Sequence, residues 1–459
     1  MKKIILTLST LSLLTACSLF EDPAEKKLEG MRLSLYDFEK TLRSDPNTQF
    51  GLDGSEEQTL ITLPEALAGG VDNGISLDAP WENKFWPQVG GYPNHTMKHV
   101  AFNSDKPRKL WSASIGYGAT KTSPMTAAPV VADGKVFTLD TRSNVQATNA
   151  QNGKVIWSQN ILKSGEDESV ISGGVAFSGN RVFVTNGFNE VVALNPENGS
   201  VLWRTTTKSP IRGAPSAVPG RIFVITMDNK TLALDSAKGN ILWSHSGLST
   251  DTQTLGASTP AIDKNSVITA YSSGEVYALR IENGQELWSE NLAPVARAAG
   301  RMQMSDIRAL PIVDAGTVYA TSHSNRMAAI DMRSGLARWN AAIGSTSTPW
   351  VSGNRLYIMS LQSTLISLNR TNGKVLWQSA LPRYEDVEDR EGAITWNGPI
   401  LAGNRLMAFA STGEVRDFNP ADGSLIRTWD AGRDIELSPA IAGGVLYVLE
   451  NDGTLNAWK

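Results

Sequence analysis

The chain has 459 residues, 41% hydrophobic and 19% charged, with a formal net charge of −4, 40 glycines and one cysteine. A weakly acidic balance argues against nucleic acid and anionic lipid as electrostatic partners, and a lone cysteine excludes a disulfide framework. This much glycine beside this apolar content suits a turn-rich β protein.

Residues 1–16 read as a secretory signal peptide: Lys2 and Lys3 form the charged start, and Ile4 to Ala16 form an apolar stretch too short to span a bilayer. Leu14-Thr15-Ala16-Cys17 resembles the bacterial lipobox. The resemblance implies cleavage before Cys17 and acylation of its thiol, and Ser18, in place of Asp, implies sorting to the outer membrane. The expected mature chain is lipid-anchored on the periplasmic face, and loss of Lys2 and Lys3 takes its formal charge from −4 to −6. Residues 17–80 read as the lipidated cysteine and a flexible tether, since Pro46, Pro64, Gly69, Gly70 and Gly74 interrupt every pattern after a short apolar stretch at Leu28 to Leu42. From Trp81 to Asn103 the chain is expected to be ordered on one face of the body, because leaving Trp81 and Trp86 in water is costly. His95 and His99 are four apart, but Tyr92-Pro93-Asn94 precedes them and no Glu follows His95, so no metal site is assigned.

From Trp111 onward the chain repeats. Trp111, Trp157, Trp203, Trp243, Trp288, Trp339, Trp377 and Trp429 follow one another at intervals of 38 to 52 residues. Ahead of most stands a fixed pattern: Ala147, Asn149, Gly153, Trp157, then Ala193, Asn195, Gly199, Trp203, then Ala233, Asp235, Gly239, Trp243, then Ala329, Asp331, Gly335, Trp339. Two units, ending at Trp288 and Trp377, carry one substitution, and a seventh reads as stretched by two residues between Asp417 and Trp429. The Asn or Asp is expected to end a strand, the Gly to supply positive φ in a tight turn, and the Trp to lie on the next strand against the neighbouring blade. The pattern resembles the tryptophan-docking motif of PQQ-like propeller repeats, from about 109 to 459. Each unit opens with Pro at a first strand position, as in Ala214-Pro215 and Ser438-Pro439, where no ladder donor is lost, except the second, which has Gly174-Val175. The last unit holds three strands before the chain stops, and the segment 109–112 can supply the fourth. The predicted fold for 81–459 is therefore all-β: an eight-bladed β-propeller of four-stranded antiparallel blades, closed by an N-terminal strand that completes the last blade.

No nucleophile elbow or phosphate cradle appears, and the acidic run Glu385 to Glu391 lacks the central Gly of a calcium loop and reads as a solvated loop. No catalytic, cofactor-binding or metal residue is assigned. The inter-blade connections 158–173, 291–309 and 379–397 are long, and the middle one mixes arginines with methionines, a composition suited to an adaptable protein contact.

A lipobox, a tether and eight such units without redox apparatus resemble the BamB family of the outer-membrane β-barrel assembly machinery. Ser305-Asp306-Ile307 and the Gly256, Ser258, Pro260 spacing match that family's contact loops, while Arg308 stands where the family has a second Asp and Leu255 where it has Arg. The resemblance implies a non-enzymatic scaffold without cofactor. It would bind BamA POTRA domains and other Bam subunits through Leu255, Gly256, Arg301, Asp306 and Arg308, and aid insertion of nascent outer-membrane β-barrel proteins. Two alternatives stay open: a PQQ- and calcium-dependent quinoprotein dehydrogenase, and an envelope-sensing propeller that binds a ligand.

Overall fold

The computed structural model describes residues 49–50, 56–57, 74–102, 105–163, 171, 173–250, 256–293 and 305–459. The expected signal peptide, Cys17, and the expected tether as far as residue 73, apart from 49–50 and 56–57, lie outside them. Residues 1–64 form a separate unit, of which a two-stranded pairing of Gln49–Phe50 with Glu56–Glu57 is described.

The body is the expected eight-bladed propeller. Seven blades are four-stranded antiparallel meanders running 130–160, 174–206, 216–246, 261–291, 312–341, 350–380 and 396–430. The eighth joins Ala440–Ala442, Val445–Leu449 and Thr454–Trp458 to the N-terminal strand Lys109–Ser114, which pairs antiparallel with Thr454–Trp458. Arg108 and Lys459 exchange backbone hydrogen bonds of 2.9 and 3.0 Å, so the two ends of the ring meet in one ladder.

The tryptophan motif holds neighbouring blades together. In each of blades 1 to 6 the third and fourth strands shift register by one bulged residue beside the tryptophan's cross-strand partner, as between Ala147 and Thr148. The motif Asn or Asp caps the turn: Asn149 Oδ1 accepts from the Gln151 and Asn152 N–H groups, and Asp235 Oδ1 from those of Ala237 and Lys238. The indole then lies flat on the motif glycine of the next blade. Trp243 covers Gly284, and its Nε1 donates to the Ile281 carbonyl at 3.0 Å. The same pairing joins Trp111 to Gly153, Trp157 to Gly199, Trp203 to Gly239, Trp288 to Gly335, Trp339 to Gly373 and Trp377 to Gly423. A Cβ on any of these seven glycines would fall 2.4 to 2.7 Å from an indole carbon, and each glycine has φ between 71 and 78°.

The seventh unit corrects the sequence reading. Its motif is not stretched: Asp417, Asn419, Gly423 and Arg427 keep the spacing, Arg427 takes the tryptophan position opposite Asp417, and Trp429 lies two residues further along. The reason is the ring seam. The eighth blade has chain ends where the others have a glycine turn, so no flat surface receives an indole. Arg427 instead reaches across the seam to the Asp105 carbonyl and back to the fully buried Asp417 at 2.6 Å, while Trp429 packs edge-on against Trp458.

The innermost strands would leave their inward edges unpaired. Residues 83–100 supply partners by winding once around one end of the central channel and meeting every blade in order. Asn83 binds Ile441 and Gly443 of blade 8, Trp86 exchanges backbone bonds of 2.8 Å with Val131 of blade 1, and the Pro87 carbonyl accepts from Phe177 of blade 2. Gln88 Oε1 accepts from Ala217, the Pro93 carbonyl from Ile262 and the Asn94 carbonyl from Val313. The turn ends with Trp350 Nε1 on the Lys98 carbonyl and the Val100 N–H on the Leu401 carbonyl. Before it, Gly74, Ser76 and Asp78 bind Ser352, Gly353 and Asn354 of blade 6.

Candidate functional site

With one channel end occupied by residues 83–100, the open end is ringed by the segments that lead into the innermost strands. Gly213, Ala214 and Ala257 keep the walls smooth and close, and Trp86, Trp350 and His95 form the floor. The two floor indoles stack at 6.3 Å and 22°. His95 is 4% exposed, and its Nδ1 lies 2.8 Å from the Pro311 carbonyl, which makes that nitrogen the donor. Burial pushes its pKa down to about 4, against a smaller opposing effect of the Pro311 bond, so the ring is neutral and the floor carries no charge. His99 gives Nδ1 to the Asp78 carbonyl and accepts the Asn404 N–H at Nε2, so the two histidines serve backbone partners on different blades.

Of the five residues expected to bind a partner, Leu255 and Arg301 lie outside the described residues. Of the other three, Gly256 and Arg308 line the channel mouth, while Asp306 lines a separate, smaller crevice. Gly256 has φ 91°, and a Cβ on it would stand 3.5 Å from Arg308 Nε, so two consecutive inter-blade connections touch here. Asp306 is buried, its carbonyl accepting the His323 N–H at 2.9 Å, and it shares with Gly256 the wall of a small crevice lined by Met227 and Asn229. Arg308 is reached by solvent yet walled by protein: this confinement lowers its pKa, while the Asp306 and Glu436 carboxylates act in the opposite sense.

Two further charged residues at the mouth, Arg212 and Glu436, were not singled out from the sequence. A signal for them existed. Arg212, Arg308 and Glu436 each stand three residues before the proline that opens an innermost strand, Pro215, Pro311 and Pro439. One register position therefore aims a charge at the channel in blades 3, 5 and 8.

The acidic run in the connection 379–397 is not a plain loop. Tyr384–Asp386 pairs with Glu391–Ala393 as a hairpin, closed by Asp386 Oδ1 accepting from the Glu388 and Asp389 N–H groups. Among the described residues no group of three or more His, Cys, Asp or Glu side chains could hold a metal ion.

The model of the outer membrane protein assembly factor BamB family matches residues 92–161, 141–379 and 362–459. Similar curated proteins include assembly factors BamB of Alkalilimnicola ehrlichii, 29% identical over 44% of this chain and 51% of the relative, and of Escherichia coli, 26% identical over 44% and 49%. The chain thus aligns with about half the length of the curated relatives it matches. Among solved structures, BamB from Moraxella catarrhalis superposes with a TM-score of 0.63 at 19% identity, covering 77% of this chain and 99% of that one. Quinohemoprotein alcohol dehydrogenase from Comamonas testosteroni gives 0.62 at 13% identity, covering 82% and 80%, a likeness of fold alone. With the family model spanning the propeller almost from end to end, the chain belongs to the BamB family of outer membrane protein assembly factors.

Proposed function

We propose that this chain is a non-enzymatic scaffold lipoprotein, held by an acylated Cys17 on the periplasmic face of the outer membrane. It binds the POTRA domains of BamA within the β-barrel assembly complex and aids insertion of nascent outer-membrane β-barrel proteins. The observation that supports the reading is the meeting of Gly256 and Arg308 at the channel mouth, from two consecutive inter-blade connections that carry the family-like motifs. Leu255 and Arg301 belong to the same two connections and complete the proposed contact. Asp306, being buried, supports the crevice wall, and Arg308 offers the charge.

The test is recovery of BamA from crosslinked membranes with Arg301→Glu and Arg308→Glu variants whose circular dichroism matches the parent. Reversal of two cations at a contact is expected to reduce recovery at least about tenfold. Undiminished recovery with both folded variants would reject this face as the docking surface.

A further inference from the structure

We propose that the plugged channel binds a small anionic zwitterion, a molecule with two carboxylates and one ammonium, of which glutamate is the simplest example. Three observations support this. First, the channel is a cul-de-sac, walled by residues of several blades and floored by Trp86, Trp350 and His95. Second, Arg212, Arg308 and Glu436 line it from three blades, and none makes a hydrogen bond or ion pair with another described residue. Three arginines elsewhere in the ring do pair with carboxylates: Arg370 with Asp314, Arg204 with Glu190, and Arg427 with Asp417. Third, neutral His95 leaves the floor uncharged, so among the described residues the lining carries two positive groups, Arg212 and Arg308, and one negative group, Glu436.

A ligand with the opposite count answers each charge with a charge-assisted hydrogen bond in a confined space, where such bonds are stronger than in water. The smooth walls at Gly213, Ala214 and Ala257 admit a short aliphatic chain, and the hydroxyl of Ser347 offers a further partner. A macromolecule could reach the rim but not the stacked Trp86 and Trp350 at the bottom, which is why a small molecule fits and a chain does not.

Calorimetric titration of the full chain with L-glutamate, glutarate and cadaverine tests the proposal. Glutamate is expected to bind one to one, glutarate more weakly for want of the ammonium, and cadaverine not at all. Arg212→Gln and Arg308→Gln should each weaken glutamate about tenfold or more. Glu436→Gln should weaken glutamate while leaving glutarate unchanged or tighter. In the unaltered protein, glutamate should protect amides at 212–214, 308–310 and 436–438 from hydrogen exchange. No saturable binding of glutamate or glutarate up to about 10 mM, equal affinity in both arginine variants, or protection confined to other segments would overturn it. None of these readings uses recovery of BamA, so failure here is distinguishable from failure of the scaffold reading.

Discussion

Replacing Gly284 by Ala tests whether the indole and glycine contact sets the spacing between blades. The glycine has φ 73°, where an L side chain costs roughly 1–2 kcal/mol. Its added Cβ would lie 2.5 Å from Trp243 Cε3 and 2.8 Å from Cδ2, well inside the usual carbon contact of about 3.5–4.0 Å, so the ring must retreat by about 1 Å. A retreat of that size breaks the 3.0 Å bond from Nε1 to the Ile281 carbonyl, leaving a buried donor and acceptor unpaired for about 1–3 kcal/mol. The expected destabilisation is therefore about 2–5 kcal/mol, measured as a shift in urea midpoint followed by circular dichroism. Trp243→Ala, at a residue 9% exposed, should cost about 3–5 kcal/mol by itself. The double variant decides the matter. With the indole gone, only the backbone strain of the substituted position 284 remains, so the two losses should fall short of additivity by about 1–3 kcal/mol. Additive losses would mean that the glycine is required for its φ alone and that the docking contact does not position the blades.

Two other outcomes follow from the same geometry. Arg427→Trp restores the repeat motif yet should destabilise by about 2–3 kcal/mol, because it removes a charge-assisted bond from the fully buried Asp417, leaving Arg405 and the Trp429 indole; equal or greater urea resistance would refute the seam argument. His95 has a folded pKa of about 4, below its unfolded value of about 6.5, so its burial stabilises fully above pH 6.5 and that stability is lost as pH falls towards 4, about 3 kcal/mol in all. His95→Asn, which tolerates the φ of 58°, should flatten that part of the stability profile, and an unchanged slope between pH 6.5 and 4 would show that other groups carry it.

The ring was legible in the sequence because its rules are local. A bulge, an Asx turn, a positive-φ glycine and a flat indole recur within ten residues of one another, so each blade announces itself, and the missing fourth strand of the last unit pointed to the segment at 109–112. Two features escaped for opposite reasons. At the seam a nearby tryptophan, Trp429, imitated the motif, and only the absence of a facing glycine shows why Arg427 holds the position. The winding of residues 83–100 left no pattern to read, because most of its bonds to the blades use backbone groups, above all carbonyls such as those of Pro87, Pro93 and Asn94, which any residue can present. The candidate site was partly legible. Gly256 and Arg308 could be named from family-like motifs, but which charged side chains line the mouth depended on the register before each proline, visible only once Arg212, Arg308 and Glu436 are seen to share it.

The two ends of this ring are chemically unequal, and that asymmetry directs function to one of them. At the closed end, residues 83–100 satisfy the inward edges of the innermost strands blade by blade, and Gly353, Gly403 and Gly443 meet residues 76–102 at their backbones. At the open end, most strands begin at prolines and small residues, and Arg212, Arg308 and Glu436 line the mouth without a hydrogen bond or close ion pair to another described residue. A propeller of identical units already carries different connections at its two ends; the winding segment adds to that difference by covering one end and leaving the other open. If that division is correct, removing residues 74–102 should cost stability and also expose a second mouth. Small ligands would then reach the channel from both sides, with glutamate leaving the truncated chain faster than the full one. Release at the same rate from both would mean that the plug does not control access and that the open end owes its binding character to its charges alone.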